Sequence, residues 1–538
     1  MVKASNKYPP HLIIMGLYTL TEIILWPVGE FALNDDWAYA IAIKHLLDNN
    51  VLMLSNWQAI PALPQLIGGV AVCKVLGFSF TALRLLTVAS VWPLILIANA
   101  IMRRVGINPQ LRLPALAVIV FNPLLINLSN TFMPDVFQLV LGLSAFYFMI
   151  VFFENRKRNI VIPIVVFCLL ASLQRQSALC LPFCFAAIAI WRGPKRTVDI
   201  ALALLPLAVC FAALVFFEYL LAHYSRLPAN YNLQLYGMAA RLNQPFFGTF
   251  KIAGYYLITS TICLGLIISP LFPLIIGGAV RSIASSWRWK LLFAVYMALV
   301  AVKLLFSGNV LPFVGNIFYH AGVGPIIMTG LNTDIPCAIS ILPKLIYIIF
   351  NIVGACSFFA ACFLIVKKIV LKPWLSFFLI LLMVTYLLPI CINYANDRYL
   401  LFIIPFLSIV LVAGIEKAEK KWAFVVLFGA MFCFAMAAEL DYLSFNKARN
   451  KALNYLETIQ LANPRQIDGG FEYNGWHLSQ TGNYNPNHTG KWWWVDGDEF
   501  TVSPLIPANY SVLYKKTCFK WLEIKTDTVY ALQKHAVK

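Results

Sequence analysis

Long apolar runs constrain this chain more than any other feature. Residues 200–217, "IALALLPLAVCFAALVFF", hold no charged group, and comparable runs recur along most of the 538 residues. A stretch of about 20 apolar residues matches the length of helix that crosses a ~30 Å hydrocarbon core, and inside lipid the backbone has to satisfy its own hydrogen bonds. With 61% hydrophobic and only 12% charged residues, the chain reads as a polytopic α-helical membrane protein.

Charge gives the orientation. The net charge of +18 comes from short clusters between apolar runs: Lys3/Lys7, Arg103/Arg104/Arg112, Arg156/Lys157/Arg158, Arg192/Lys195/Arg196, Arg281/Arg288/Lys290, Lys367/Lys368/Lys372 and Lys417/Lys420/Lys421. Basic residues gather on the cytoplasmic side, so this is the signature of membrane sidedness and not of nucleic-acid binding. Alternation between the clusters predicts about thirteen transmembrane helices, at 12–31, 85–102, 113–129, 136–153, 160–173, 178–191, 198–221, 252–279, 291–306, 339–366, 374–392, 399–415 and 422–440. The amino terminus is then cytoplasmic and the first helix a retained signal anchor. The run at 60–76 breaks the alternation if it spans, so the first outer loop is read as 32–84 with two interfacial helices, 37–48 and 62–76.

After residue 440 the composition turns polar and aromatic, with turn dipeptides Asp468-Gly469 and Asn474-Gly475. The expectation is a transmembrane domain over 1–440 followed by a small α/β or β-rich soluble domain, 441–538, on the outer (periplasmic or extracellular) side of a plasma or inner membrane. The aromatics of "FEYNGWH" and "KWWWVDGDEF" read as the core of that domain, with stacking on sugar rings as the other use. The twelve cysteines include no C-x-x-C pair, and the seven histidines show no metal-ligand spacing.

Sidedness sorts the unusual polar residues, since Asp35, Asp36, Arg84, Asp135, Arg175, His320, Asp397 and Arg398 all fall at outer ends of spans or in outer loops. Charge at a membrane boundary is costly and marks either a site or a pair. Asp35 and Asp36 can cap the helix that follows them; as adjacent carboxylates they can also supply a general base. Asp135, after Pro134, fits an ordinary helix start or a site. Arg84 and Arg175 suit a phosphate through bidentate bonds, or an ion pair with one of the aspartates. The loop around His320 offers Gly322 and Gly324, whose backbone N–H groups can approach an anion, and Asp397/Arg398 form a local pair, interfacial anchors with Tyr394 and Tyr399, or, with His320, part of a substrate loop.

Taken together, "NDDWAYA" after the first span, "TFMPDVF" before the fourth and "NDRYLLFIIPFL" late in the chain resemble the glycosyltransferase C superfamily, in the branch of bacterial aminoarabinose transferases and protein O-mannosyltransferases. Asp35, Asp36, Tyr39 and Ala40 match the acidic pair and Tyr-Ala of that branch. The resemblance implies an inverting transferase that takes a sugar from a polyprenyl-phosphate donor, with Asp35 as general base and Asp135 as second acid. The acceptor is a hydroxyl of a cell-envelope lipid, glycan or protein. Arg84 and Arg175 are added, on charge and sidedness, as donor-phosphate ligands. One departure stands out: the branch has a Lys-Pro late in the first loop, and here "NWQAIPALP" has Ile60-Pro61. No cofactor is required, although paired acids are compatible with a divalent cation. The rival reading is a secondary transporter with carboxylate-coupled protons and an anionic substrate, which internal repeats and midplane binding would favour; here no repeat is seen and, apart from Glu22 within the first span, which has no evident partner, the unusual charges gather on one face.

Overall fold

A computed structural model describes residues 9–193, 197–231, 233–275, 286–319, 322–328, 341–367, 373–413, 418–480, 494–495 and 499–535. His320, Lys491, Trp492, Trp493, Lys3, Lys7, Lys195, Arg196, Arg281, Lys368, Lys372, Lys417 and the span ends 276–279, 339–340 and 414–415 lie outside the described residues.

The chain is a multi-pass helical membrane protein. Its helices are α1 (Pro10–Leu25), α2 (Asp36–Asn49), α3 (Leu63–Leu76), α4 (Phe80–Val105), α5 (Pro109–Val120), α6 (Pro123–Ser129), α7 (Asp135–Asn155), α8 (Val161–Gln174), α9 (Cys180–Trp191), α10 (Thr197–His223), α11 (Leu233–Leu242) and α12 (Phe246–Ile268). There follow α13 (Trp287–Phe306), α14 (Ile341–Lys367), α15 (Pro373–Asn393), α16 (Ile404–Val412), α17 (Lys421–Thr458) and α18 (Phe471–Leu478). Each expected apolar segment carries helix, and α2 and α3 fall on the two expected interfacial helices. The count of thirteen spans is not reached by length: among the described residues eight helices qualify, or nine with the bent pair α5–α6. α1, of 16 residues, and α9, of 12, rise only about 18 to 24 Å at ~1.5 Å per residue, less than the ~30 Å core.

The α5–α6 break shows how sequence sets shape. Pro123 has no N–H to continue α5, and the chain bends by 57° there. Asn122 then repairs both ends, accepting from Leu125 N at 3.1 Å and donating to Ile119 O at 2.8 Å.

Beyond the membrane segments lies a four-stranded sheet of β3 (Ile467–Asp468), β4 (Phe500–Ser503), β5 (Tyr510–Lys520) and β6 (Lys525–Lys534), in the order β3-β4-β6-β5. β3 and β4 are parallel; β4–β6 and the β5–β6 hairpin are antiparallel. A small hairpin, β1 (Phe318–Tyr319) with β2 (Gly322–Val323), precedes α14. α17 runs without a break through residue 440, where the sequence suggested a boundary, and its last turns pack Phe445, Ala448, Ala452 and Leu456 against Val502, Val529 and Ala531. One helix therefore serves both the membrane bundle and the sheet.

Candidate active site

A cavity of about 1770 Å³ opens at one end of the bundle. Its wall combines residues of the first loop (Asn34, Asp35, Trp57), membrane helices α10, α14 and α15, the 307–319 loop, the 3-10 turn Asp397–Phe402, and Phe471 from α18. Polar groups thus meet apolar helix faces in one space.

Of the adjacent acids, only Asp35 faces it. Asp35 occupies the N-cap of α2 but makes no capping hydrogen bond, so the cap reading does not account for its carboxylate. Oδ1 accepts from Trp57 Nε1 at 3.0 Å and Oδ2 from Arg398 Nη1 at 3.1 Å. Asp36 turns the other way and is fully buried, accepting from Leu33 N at 2.7 Å and Phe132 N at 3.5 Å. Burial pushes its carboxyl up to about 7, against the pull of Arg84 and the two N–H groups. The folded-state value lies above the unfolded 3.8, so this contribution to stability is full below pH 3.8 and is lost as pH rises through about 7. Asp36→Asn removes a titrating group there, and the fall in melting temperature between pH 4 and 7 becomes shallower, as thermal unfolding in detergent would record.

Arg175 reaches the cavity from the turn after α8. The end of α8 is pinned to α3 by a reciprocal pair, Gln174 Nε2 to Gln65 Oε1 at 2.9 Å and Gln65 N to Gln174 Oε1 at 3.1 Å. Arg175 Nη1 donates to Asp135 Oδ1 at 2.6 Å, and its guanidinium lies 4.4 Å from the Tyr399 ring centroid. Arg398 lies 5.3 Å from the same ring, so Tyr399 holds two cations together. Tyr386 in turn fixes this turn by donating to Tyr399 O at 3.1 Å. Asp135 does not line the cavity. It sits 5% exposed behind Arg175, with Oδ2 unpartnered among the described residues.

Two sequence candidates are committed elsewhere. Arg84 is fully buried on α4 and away from the cavity lining: Nη1 donates to Pro27 O at 3.1 Å and Gly29 O at 2.9 Å, and Nη2 donates to Phe31 O. This corrects its assignment as a phosphate ligand, since a guanidinium spent on the 27–31 backbone holds the loop that carries Asp35. Each carbonyl left unsatisfied costs about 1–3 kcal/mol, so Arg84→Met loses at least about 3 kcal/mol. A lower melting temperature with an unchanged donor KM is the expected result. Asp397 likewise accepts from Ile317 N at 2.8 Å and Phe318 N at 2.7 Å, and burial pushes its carboxyl up to about 6 despite these bonds. It anchors the 307–319 loop, while the Arg398 guanidinium is directed to Asp35.

Sequence reasoning passed over Trp57 and Asn316, and took Tyr399 only as an interfacial anchor. Trp57 stands in the quoted "NWQAIP", but nothing local shows that it reaches Asp35. Asn316 lines the cavity with its Oδ1 unpartnered among the described residues. Among those residues no group of three or more His, Cys, Asp or Glu side chains is arranged to hold a metal.

No family model matches the sequence, and no curated protein matches it. Solved structures give distant likenesses. ArnT from Cupriavidus metallidurans bound to undecaprenyl phosphate is similar at 11% identity and a TM-score of 0.40, over 97% of each chain. AglB from Archaeoglobus fulgidus, an archaeal oligosaccharyltransferase in complex with an inhibitory peptide and a dolichol-phosphate, is similar at 11% identity and a TM-score of 0.41, over 83% of this chain and 58% of that one. The S. cerevisiae protein O-mannosyltransferase Pmt1-Pmt2 complex gives 15% identity and a TM-score of 0.33, over 42% of this chain and 35% of that one. The chain thus spans about a third of the O-mannosyltransferase and somewhat over half of AglB.

Proposed function

We propose that this chain is an inverting glycosyltransferase that moves a sugar from a polyprenyl-phosphate donor to a hydroxyl of a cell-envelope lipid, glycan or protein, on the outer face of the membrane. The observation that carries this reading is the placing of Asp35, Arg175 and Arg398 in one large cavity walled by membrane helices. An isoprenoid donor cannot leave the bilayer, so its phosphate has to be met where apolar helix faces give way to charge. Residues 1–440 supply this transferase part, including the 32–84 loop, and 441–538 lie on the outer side.

Each group has a task. The acceptor oxygen attacks the anomeric carbon from the face opposite the phosphate, which inverts that carbon. Its proton passes to Asp35, and the bond to the phosphate oxygen breaks with the electron pair leaving on the phosphate. Arg175 and Arg398 neutralise that charge as it develops. Arg398 also bridges to Asp35, so a phosphate that draws Arg398 toward itself frees the carboxylate for the proton. Asp135, as the counter-ion of Arg175, aims it without touching substrate.

The test supplies membranes containing the protein with labelled polyprenyl-phosphate sugars and identifies the product. A new glycosidic bond of inverted configuration supports the reading. Label accumulating inside sealed vesicles with no glycosidic product sinks it and points to transport.

A further inference from the structure

Four aromatic rings meet beside the base, and two come from the far end of the chain. Trp57, whose indole N–H holds Asp35 Oδ1 at 3.0 Å, lies 6.2 Å from Trp37, 5.7 Å from Phe471 and 5.4 Å from Trp494, centroid to centroid. The other members touch as well: Trp37 is 5.8 Å from Phe471 and 5.4 Å from Trp494, and Phe471 is 5.9 Å from Trp494. Most of these contacts are edge-to-face, the arrangement that a ring quadrupole favours. Trp37 is fully buried, and Phe471 and Trp494 are each 4% exposed, so the cluster is packed and directional.

The backbone adds its own constraints. Phe471 N donates to Ile327 O at 2.9 Å, and Phe471 also lines the cavity. At Gly475, one turn further along α18, an added Cβ would meet Trp37 Cε2 at 2.4 Å, so that face of α18 is fitted against the helix that begins at Asp36. On the loop side, Trp57 N donates to Ser55 Oγ at 3.3 Å and Gln58 Nε2 to Ile60 O at 2.9 Å, which shapes the turn carrying the indole.

We infer that Trp57 is a positioning residue for Asp35, and that Phe471 and Trp494 of the carboxyl-terminal segment belong to the catalytic centre because they set the plane of that indole. The inference rests on the transferase reading, in which Asp35 takes the acceptor proton. A carboxylate held by an indole N–H on one oxygen and a guanidinium on the other is fixed in both direction and rotation. Once Arg398 turns toward the phosphate, the Trp57 bond is the constraint that remains. A misplacement of about 1 Å at a reacting group costs on the order of 10²-fold in rate, so loosening Trp57 slows chemistry and leaves donor binding intact.

The test compares Trp57→Phe, which keeps a ring and removes the N–H, with Phe471→Ala and Phe471→Leu in the full-length protein. Steady-state transfer, melting temperature and near-UV circular dichroism are read on the same preparations. Trp57→Phe and Phe471→Ala each lower kcat by about tenfold to a hundredfold with the donor KM within about twofold, and Phe471→Leu regains most of the loss. The near-UV signal of the tryptophan cluster weakens in Phe471→Ala. Wild-type kcat in both Trp57→Phe and Phe471→Ala, with only a lower melting temperature, overturns the positioning role while wild type stays active and Asp35→Asn inactive. A wild-type protein that transfers nothing overturns the transferase reading and this inference with it.

Discussion

Asp35→Asn loses sugar transfer by about 10²- to 10⁴-fold, with the protein still folded and still binding donor. The amide keeps the shape of the carboxylate and can still accept from Trp57 Nε1, but it has no basicity with which to take the acceptor proton. The Arg398–Asp35 pair is largely buried, with side chains 10% and 18% accessible respectively, so the change also lowers the melting temperature by leaving Arg398 without its counter-ion. Steady-state transfer sets kcat; donor protection in thermal unfolding shows that binding survives. Asp36→Asn is the paired control, because its carboxyl bonds to backbone N–H groups and does not face the cavity. Transfer that continues in Asp35→Asn at the wild-type rate removes Asp35 as the base.

Arg175→Met destabilises the fold by about 3–5 kcal/mol and abolishes transfer, because it strands Asp135 as a buried charge behind the cavity. The two effects separate in the double variant Asp135→Leu/Arg175→Met. Replacing both members of a buried pair with apolar side chains is often neutral for stability, so the melting temperature recovers toward wild type. Transfer does not recover, since the cation that meets the phosphate is gone. A double variant that is both stable and active would show that Arg175 serves only the fold.

These residues also show what a sequence can disclose. Asp35, Arg175 and Arg398 stand out because charge at the ends of apolar runs is expensive, and that cost can be read without coordinates. The helical architecture is legible for the same reason, since lipid leaves the backbone few choices. What is not legible is how each charge is used. Arg84 and Arg175 look alike on paper, yet one guanidinium is spent on Pro27, Gly29 and Phe31 carbonyls and the other meets Asp135. Asp397 lies next to Arg398 in sequence, yet its carboxylate holds the Ile317 and Phe318 N–H groups while the Arg398 guanidinium reaches Asp35. Backbone partners leave no mark in composition. The thirteen-span count is not reached among the described residues for a different reason: helices such as α1, α8 and α9 are apolar enough but short, and hydropathy reports polarity better than helix ends.

The Asp35–Arg398 pair joins residues 363 positions apart. During synthesis at roughly 5–20 residues per second, Asp35 waits on the order of 20 to 70 s before the arginine that restrains it is made. The rings that steady Trp57 arrive later still, after α17 has entered the membrane. A partly made chain therefore carries the acid without its partners and has no working site. Completion of the last membrane helices and the segment beyond them is what brings the site into being, so a chain that stalls in the membrane stays chemically silent.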